Sequence, residues 1–222
     1  MSSTTGDRHA HDDYPTPPWA TQRLLDRVWL PRGHILEPCA GRGQIVDTVR
    51  ADYAGRCFTA VELQQQHQAG LEAVCNGIAD EVVIGDFLEL AATMEAEGRS
   101  FDAVITNPPY SLAFEFLDAC RKLAPWVAML LRVGFLEGGA SDATRDRRAM
   151  LEVDMPDVYL LPNRPPFARS KKTGRFGTDS CTYAWMVWGP QAGARGHVEV
   201  LDLTPREERS EWIRELGEAV AP

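Results

Sequence analysis

His34-Ile35-Leu36-Glu37-Pro38-Cys39-Ala40-Gly41-Arg42-Gly43-Gln44-Ile45 decides the fold of this chain. A short apolar run ends in an acid, enters a turn containing Gly-x-Gly, and continues into a helix with Ile45, Val46 and Val49 on one side. This is a strand–turn–helix unit of an α/β sheet. The glycines let the backbone turn tightly and approach a ligand closely. The full Gly-x-Gly-x-x-Gly fingerprint is broken by Val46, which argues against a dinucleotide and for a smaller ligand.

Working outward, two further acid-ended strands follow. Cys57-Phe58-Thr59-Ala60-Val61-Glu62 places Glu62 about 20 residues after the glycine turn, the spacing at which an acid reaches ribose hydroxyls. A helix is expected over 64–76. Val82-Val83-Ile84-Gly85-Asp86-Phe87 reads as a third short strand ending in an acid. Phe101-Asp102-Ala103-Val104-Ile105-Thr106 is a buried strand that delivers Asn107-Pro108-Pro109-Tyr110 to the carboxyl edge of the sheet, where ligands bind in open α/β folds. Two prolines fix φ and remove two N–H donors, so this turn is stiff and offers acceptors. The Asn107 side-chain oxygen and a proline carbonyl can converge on one NH₂ group, with the Tyr110 ring beside it. That arrangement suits a planar exocyclic amine.

Leu112, Phe114, Phe116, Leu117 and Cys120 mark a helix, and Val127 to Phe135 a strand. Residues 137–150, with Gly138-Gly139 and Arg145, Arg147 and Arg148, read as a connection or a short exposed helix. Val158-Tyr159-Leu160-Leu161 and Thr182-Tyr183-Ala184-Trp185-Met186-Val187-Trp188 are strands, the second closing the sheet as a hairpin with the first. His197 to Leu203 can add an edge strand, and Thr204-Pro205-Arg206-Glu207 has the pattern of a capping box for a last helix. Between these, residues 163–178 hold five Arg or Lys (Arg164, Arg169, Lys171, Lys172, Arg175) and no Asp or Glu, against a net charge of −9 for the chain. Basic groups with interleaved Phe167 and Phe176 and flexible glycines suit a nucleic-acid backbone and an extruded base. The bland alternative is a solubilising loop. Upstream, residues 1–13 are polar and aperiodic and read as a tail. Thr16 can cap the next helix and Pro17 suits its first turn.

The turns at 37–43 and 107–110 resemble the cofactor and catalytic motifs of class I S-adenosylmethionine-dependent amino-methyltransferases, most of all the N6-adenine DNA enzymes. The resemblance covers roughly residues 14–189 by motif order. It implies a single Rossmann-like domain over 14–222, a mostly parallel seven-stranded sheet with one antiparallel strand, and helices on both faces. It implies S-adenosylmethionine as cofactor, held by Thr16, Pro17, Glu37, Pro38, Ala40, Gly41, Gly43, Glu62, Asp86, Phe87 and Asn107. Asp86 would accept from the adenine amine and Phe87 would pack on that ring, although Phe87 reads equally well as core. Asn107, Pro108, Pro109 and Tyr110 would form the catalytic turn. Tyr110, Phe167, Arg164, Arg169, Lys171, Lys172 and Arg175 would contact the substrate.

Composition sets outer limits. Hydrophobic content of 44% and charged content of 25% over 222 residues suit a globular α/β protein. No membrane-length apolar run or leader pattern is visible, so an intracellular, cytoplasmic protein is expected. Cys39, Cys57, Cys75, Cys120 and Cys181 are scattered and odd in number, which suggests reduced thiols and no metal site. The acidic total argues against a protein that coats nucleic acid, but not against a local basic patch. DNA is expected before RNA. Guanine or adenine amines in RNA, N4 of cytosine and a protein glutamine amide remain alternative acceptors, and a non-catalytic nucleic-acid-binding subunit is the alternative of a different class.

Overall fold

Successive strand residues point to opposite faces of a sheet, so a strand apolar at every position must be covered on both sides. That is the arrangement found in the computed structural model, which describes residues 15–137, 142–169, 176–190 and 196–219. The strands are β1 (His34–Glu37), β2 (Cys57–Glu62), β3 (Glu81–Ile84), β4 (Ala103–Thr106), β5 (Val127–Arg132), β6 (Asp157–Leu160), β7 (Ala168–Arg169), β8 (Phe176–Gly177), β9 (Tyr183–Trp188) and β10 (Val198–Val200). The helices are α1 (Pro18–Leu25), α2 (Gln44–Asp52), α3 (Gln68–Val74), α4 (Phe87–Ala96), α5 (Ala113–Leu123), α6 (Asp142–Val153) and α7 (Arg206–Ala219).

The main sheet has eight strands in the order β10-β6-β9-β5-β4-β1-β2-β3. These are the seven expected strands plus the edge strand β10, which runs parallel to β6. β9 alone is antiparallel, pairing with β5 on one side and β6 on the other. Alternate residues divide into two cores. Ile35, Ile105, Ala128, Leu130 and Trp185 face α1, α2 and α3, whereas Leu36, Val104, Met129, Leu131 and Met186 face α4 and α5. All six residues of β9 are buried, and the Trp185 indole N–H donates to the Ala20 carbonyl of α1 at 2.8 Å, so its buried donor is satisfied.

Several local expectations shift. β3 stops at Ile84, and Asp86 instead caps α4 by accepting from the Leu88 N–H at 2.9 Å. An acid that can bond the free N–H groups of a first helical turn gains more there than in a strand. Thr16 does not cap α1. Pro17 holds that position, without a side-chain bond. β5 ends at Arg132 and a 3₁₀ turn takes Val133–Leu136. α6 begins within the 137–150 region and runs on to Val153, and the basic segment contributes the two-stranded β7–β8 ladder that sequence patterning did not anticipate. α7 starts at Arg206, one residue after the start that a Thr204 capping box would give. The Thr204 N–H is taken by Asn163 Oδ1 at 2.7 Å. Among the described residues, no helix is long and apolar enough to cross a membrane.

Candidate active site

β1 and β4 are neighbours, with Leu36 opposite Val104. The chain leaves β1 toward β2 and β3, then returns to place β4 on the other side of β1. This reversal opens a crevice at the carboxyl ends of β1 and β4, the position where ligands bind in doubly wound sheets. The turn after β1 and the turn after β4 therefore meet. Thr16, Glu37, Pro38, Ala40, Gly41, Glu62, Asp86, Phe87, Asn107, Pro108 and Pro109 all line one cleft. The topology thus brings the two sequence motifs together.

The glycines have separate tasks. Gly41 (φ +54°) lines the cleft, and a Cβ there would meet nothing within 4 Å. Its N–H donates to Glu62 Oε2 at 2.8 Å, while Glu62 Oε1 accepts from the Gln64 N–H at 2.8 Å. Each carboxylate oxygen keeps a second lone pair, so Glu62 can still accept hydroxyl protons. Gly43 (φ +82°) is the residue before α2 and does not line the cleft. A Cβ on Gly43 would come within 3.3 Å of Leu71 and Val74. Gly43→Ala should therefore lower stability by about 1–2 kcal/mol through left-handed strain and crowding against α3. Gly41→Ala should lower it by about 1 kcal/mol from strain alone. Thermal melts of both variants check this, and equal losses would contradict the division.

The cleft is acidic. Glu37, Glu62 and Asp86 line it, and no Lys or Arg does among the described residues. Glu37 is 1% exposed, and its Oε2 has no hydrogen-bond partner among the described residues. Burial pushes its carboxyl well above the ordinary carboxylate range, a hydrogen bond from the Val46 backbone opposes this in part, and the nearby Glu62 charge adds to the rise. The Glu37 carboxyl thus faces the site with an unused acceptor at Oε2 among the described residues. His67, which no sequence signal marked, also lines the cleft, is buried, and keeps Nε2 without a hydrogen-bond partner among the described residues. Phe87 is both lining and core, 3% exposed with its ring 5.2 Å from that of Phe116, so the two readings of this residue coexist.

Asn107 is held from a distant part of the chain. Its Nδ2 donates to Thr16 Oγ1 at 3.1 Å, across 91 residues. The hydroxyl expected to cap a helix instead orients this amide. Tyr110 lies just past the cleft, between Pro109 and Ser111, which both line it. The Arg132 guanidinium sits 4.8 Å from the Tyr110 ring centroid, and the Tyr183 ring is 5.6 Å away. Phe167 is placed differently from the expectation of a base-stacking face. It is 3% exposed and packs edge-on against Tyr183 at 5.1 Å, so a role in stacking would require it to leave this packing. Arg164 donates from Nη1 to the Asp179 carbonyl at 3.3 Å. Arg169 contributes backbone to β7. Lys171, Lys172 and Arg175 lie outside the described residues, as does the 1–13 segment.

No family pattern and no curated protein matches the sequence. Solved structures do match the fold. The methyltransferase subunit of a type I restriction-modification system from Streptococcus thermophilus superposes with a TM-score of 0.65 at 16% identity, over 95% of this chain and 54% of that one. This chain thus spans about half the length of that subunit. The 23S rRNA methyltransferase ErmE gives 0.54 at 16% identity, over 94% and 80%. SMU.776, solved in complex with SAH, gives 0.51 at 9% identity, over 77% and 48%. The chain has the class I fold of S-adenosylmethionine-dependent methyltransferases.

Proposed function

We propose that this protein transfers a methyl group from S-adenosylmethionine to the exocyclic N6 amine of adenine in DNA. The observation that carries the reading is the meeting of the Asn107-Pro108-Pro109 turn with the Gly41 turn in one acidic cleft. The charge of the cleft supports the cofactor. A pyrophosphate ligand would need cations or a run of free N–H groups. A ligand carrying a sulfonium and an ammonium against one carboxylate is net positive and suits Glu37, Glu62 and Asp86. Bound there, the cofactor would supply an electrophilic methyl carbon.

The chain's own residues would do the rest. Glu37 Oε2 would take the ammonium, Glu62 the ribose hydroxyls and Asp86 the adenine amine. Thr16 would fix the Asn107 amide so that Oδ1 and the Pro108 carbonyl accept the two hydrogens of the target amine. An aromatic amine is a weak nucleophile because its lone pair is delocalised into the ring. Holding both hydrogens out of the ring plane would localise that pair and aim it at the methyl carbon. The rate gain would come from positioning and preorganised dipoles rather than from a strong base. The target base must leave a duplex stack to be reached, and the Tyr110 ring would offset part of that cost.

A second reading, an amine of a ribosomal RNA base, is favoured by the near-complete superposition on an rRNA methyltransferase. One experiment separates the two. The protein is incubated with labelled methyl donor and mixed DNA and RNA, and the products are digested to nucleosides. Label in N6-methyladenine from DNA is expected. Label in RNA alone selects the second reading, and label in neither polymer overturns both.

A further inference from the structure

We infer that Arg132 grips the phosphate beside the target base, so that the substrate site extends from Tyr110 onto the end of β5. This rests on the nucleic-acid reading above and adds a residue that no motif marks. Arg132 is the last residue of β5, and β5 lies beside β4, whose end carries Asn107. Its cross-strand partner is Tyr183. The guanidinium is laid against Tyr110, Cζ to ring centroid 4.8 Å, a cation–π contact that holds both groups in register. Nε is 3.4 Å from Tyr183 Oη, and Nη2 is 3.6 Å from Asp179 Oδ2.

Asp179 tethers Arg132 without closing on it. Its Oδ2 is already the acceptor of the Tyr183 hydroxyl at 2.7 Å, and Oδ1 accepts the Cys181 N–H at 2.9 Å. The Tyr183 phenol, pushed upward chiefly by burial, keeps its proton and remains the donor of that bond. The contact to Arg132 is thus a single loose one, not the bidentate fork that guanidinium and carboxylate form when they pair for stability. The Arg132 side chain is 41% exposed, and among the described residues further donors of its planar fork remain available for an anion. A charge oriented by the Tyr110 ring, the Tyr183 hydroxyl and an acid, next to the ring that would receive a base, is placed for the anion joined to that base through one sugar. In a nucleic acid this anion is a phosphate.

The test uses the full chain and an oligonucleotide carrying the site that the product digest identifies. Binding is followed by fluorescence anisotropy over a salt series for wild type, Arg132→Gln and Arg132→Lys. Binding of SAH by calorimetry serves as the folding control, because Arg132 does not line the cofactor cleft. For Arg132→Gln we expect roughly tenfold weaker binding and a log–log salt slope smaller by about 1. Arg132→Lys should keep the slope, because it keeps the charge, while losing the fork geometry. An unchanged slope in Arg132→Gln, even with slower methylation, would mean that Arg132 only braces Tyr110, and the proposal would be overturned. Loss of slope in both variants would overturn it too. Failure of the nucleic-acid reading is seen separately, as absence of methyl transfer by the wild type.

Discussion

Asn107→Ala is expected to reduce methyl transfer by about a thousandfold while leaving cofactor affinity far less affected. The size follows from what the side chain is asked to do. Removing one preorganised polar group that acts on the reacting atoms typically costs about 10²–10³ in turnover. Here the same amide would also set the direction of attack. The side chain is oriented by Thr16 at 3.1 Å. Single-turnover assays with labelled donor, alongside calorimetric titration with SAH, separate the chemical step from binding. Loss of both in equal measure would show that Asn107 mainly builds the cofactor pocket, and the assignment of the turn to catalysis would then be wrong. Asn107→Asp is an informative companion. It keeps the volume but replaces the donor to Thr16 with a second acceptor, so it should fall well below wild type as well.

Glu37→Gln is expected to move stability and cofactor affinity in opposite directions. Burial raises the Glu37 carboxyl well above its ordinary range in the folded protein. Between the unfolded and folded values, the native state holds a proton that the unfolded chain has released. Stability therefore falls as pH rises through that window. Glutamine is neutral throughout, so the variant should escape this loss. Its melting temperature should exceed that of wild type at neutral pH, with a gap that closes on acidification toward the ordinary carboxylate range. Cofactor binding should behave in the reverse way. An ammonium placed on Glu37 would draw it into the ionised form and release its proton, so wild-type affinity should rise with pH across the window. The glutamine variant should bind about ten- to a hundredfold more weakly, the range for loss of a hydrogen bond to a charged group, with little dependence on pH. Calorimetry in buffers of different ionisation enthalpy measures the proton release directly. Equal affinities for the two proteins would remove Glu37 from the cofactor site.

What the sequence made legible was local. The glycine turn, the acids at strand ends and the proline-locked corner each show in a run of a few residues, because backbone conformation at a turn restricts which residues can occupy it. Their meeting in one cleft followed from the order of strands. What stayed hidden was long-range or competitive. Thr16 looked like a cap because capping is the commonest local use of a threonine before a helix, and nothing nearby announced a partner in the 107 turn. Asp86 looked like the end of a strand, since the apolar run before it gives no sign that a helix begins at Phe87. Phe167 sat among basic residues and read as a substrate contact, yet the neighbouring Tyr183 offers it an apolar edge to bury against. Arg132 and Tyr183 are brought face to face by antiparallel register, which a single sequence does not encode in any short window.

The placement of β9 has a consequence for how the chain is made. β5 and β6 are synthesised earlier, yet they do not touch as neighbours in the finished sheet, because β9 separates them. Until residue 188 has left the ribosome, both strands must wait with unpaired backbone edges, and the apolar side chains destined for β9 have nothing to cover. Such half-built sheets are prone to pair with the wrong partner. Nascent chains stalled short of residue 183 should therefore resist compaction and engage chaperones, whereas those released with residue 188 outside the ribosome should become protease-resistant in one step.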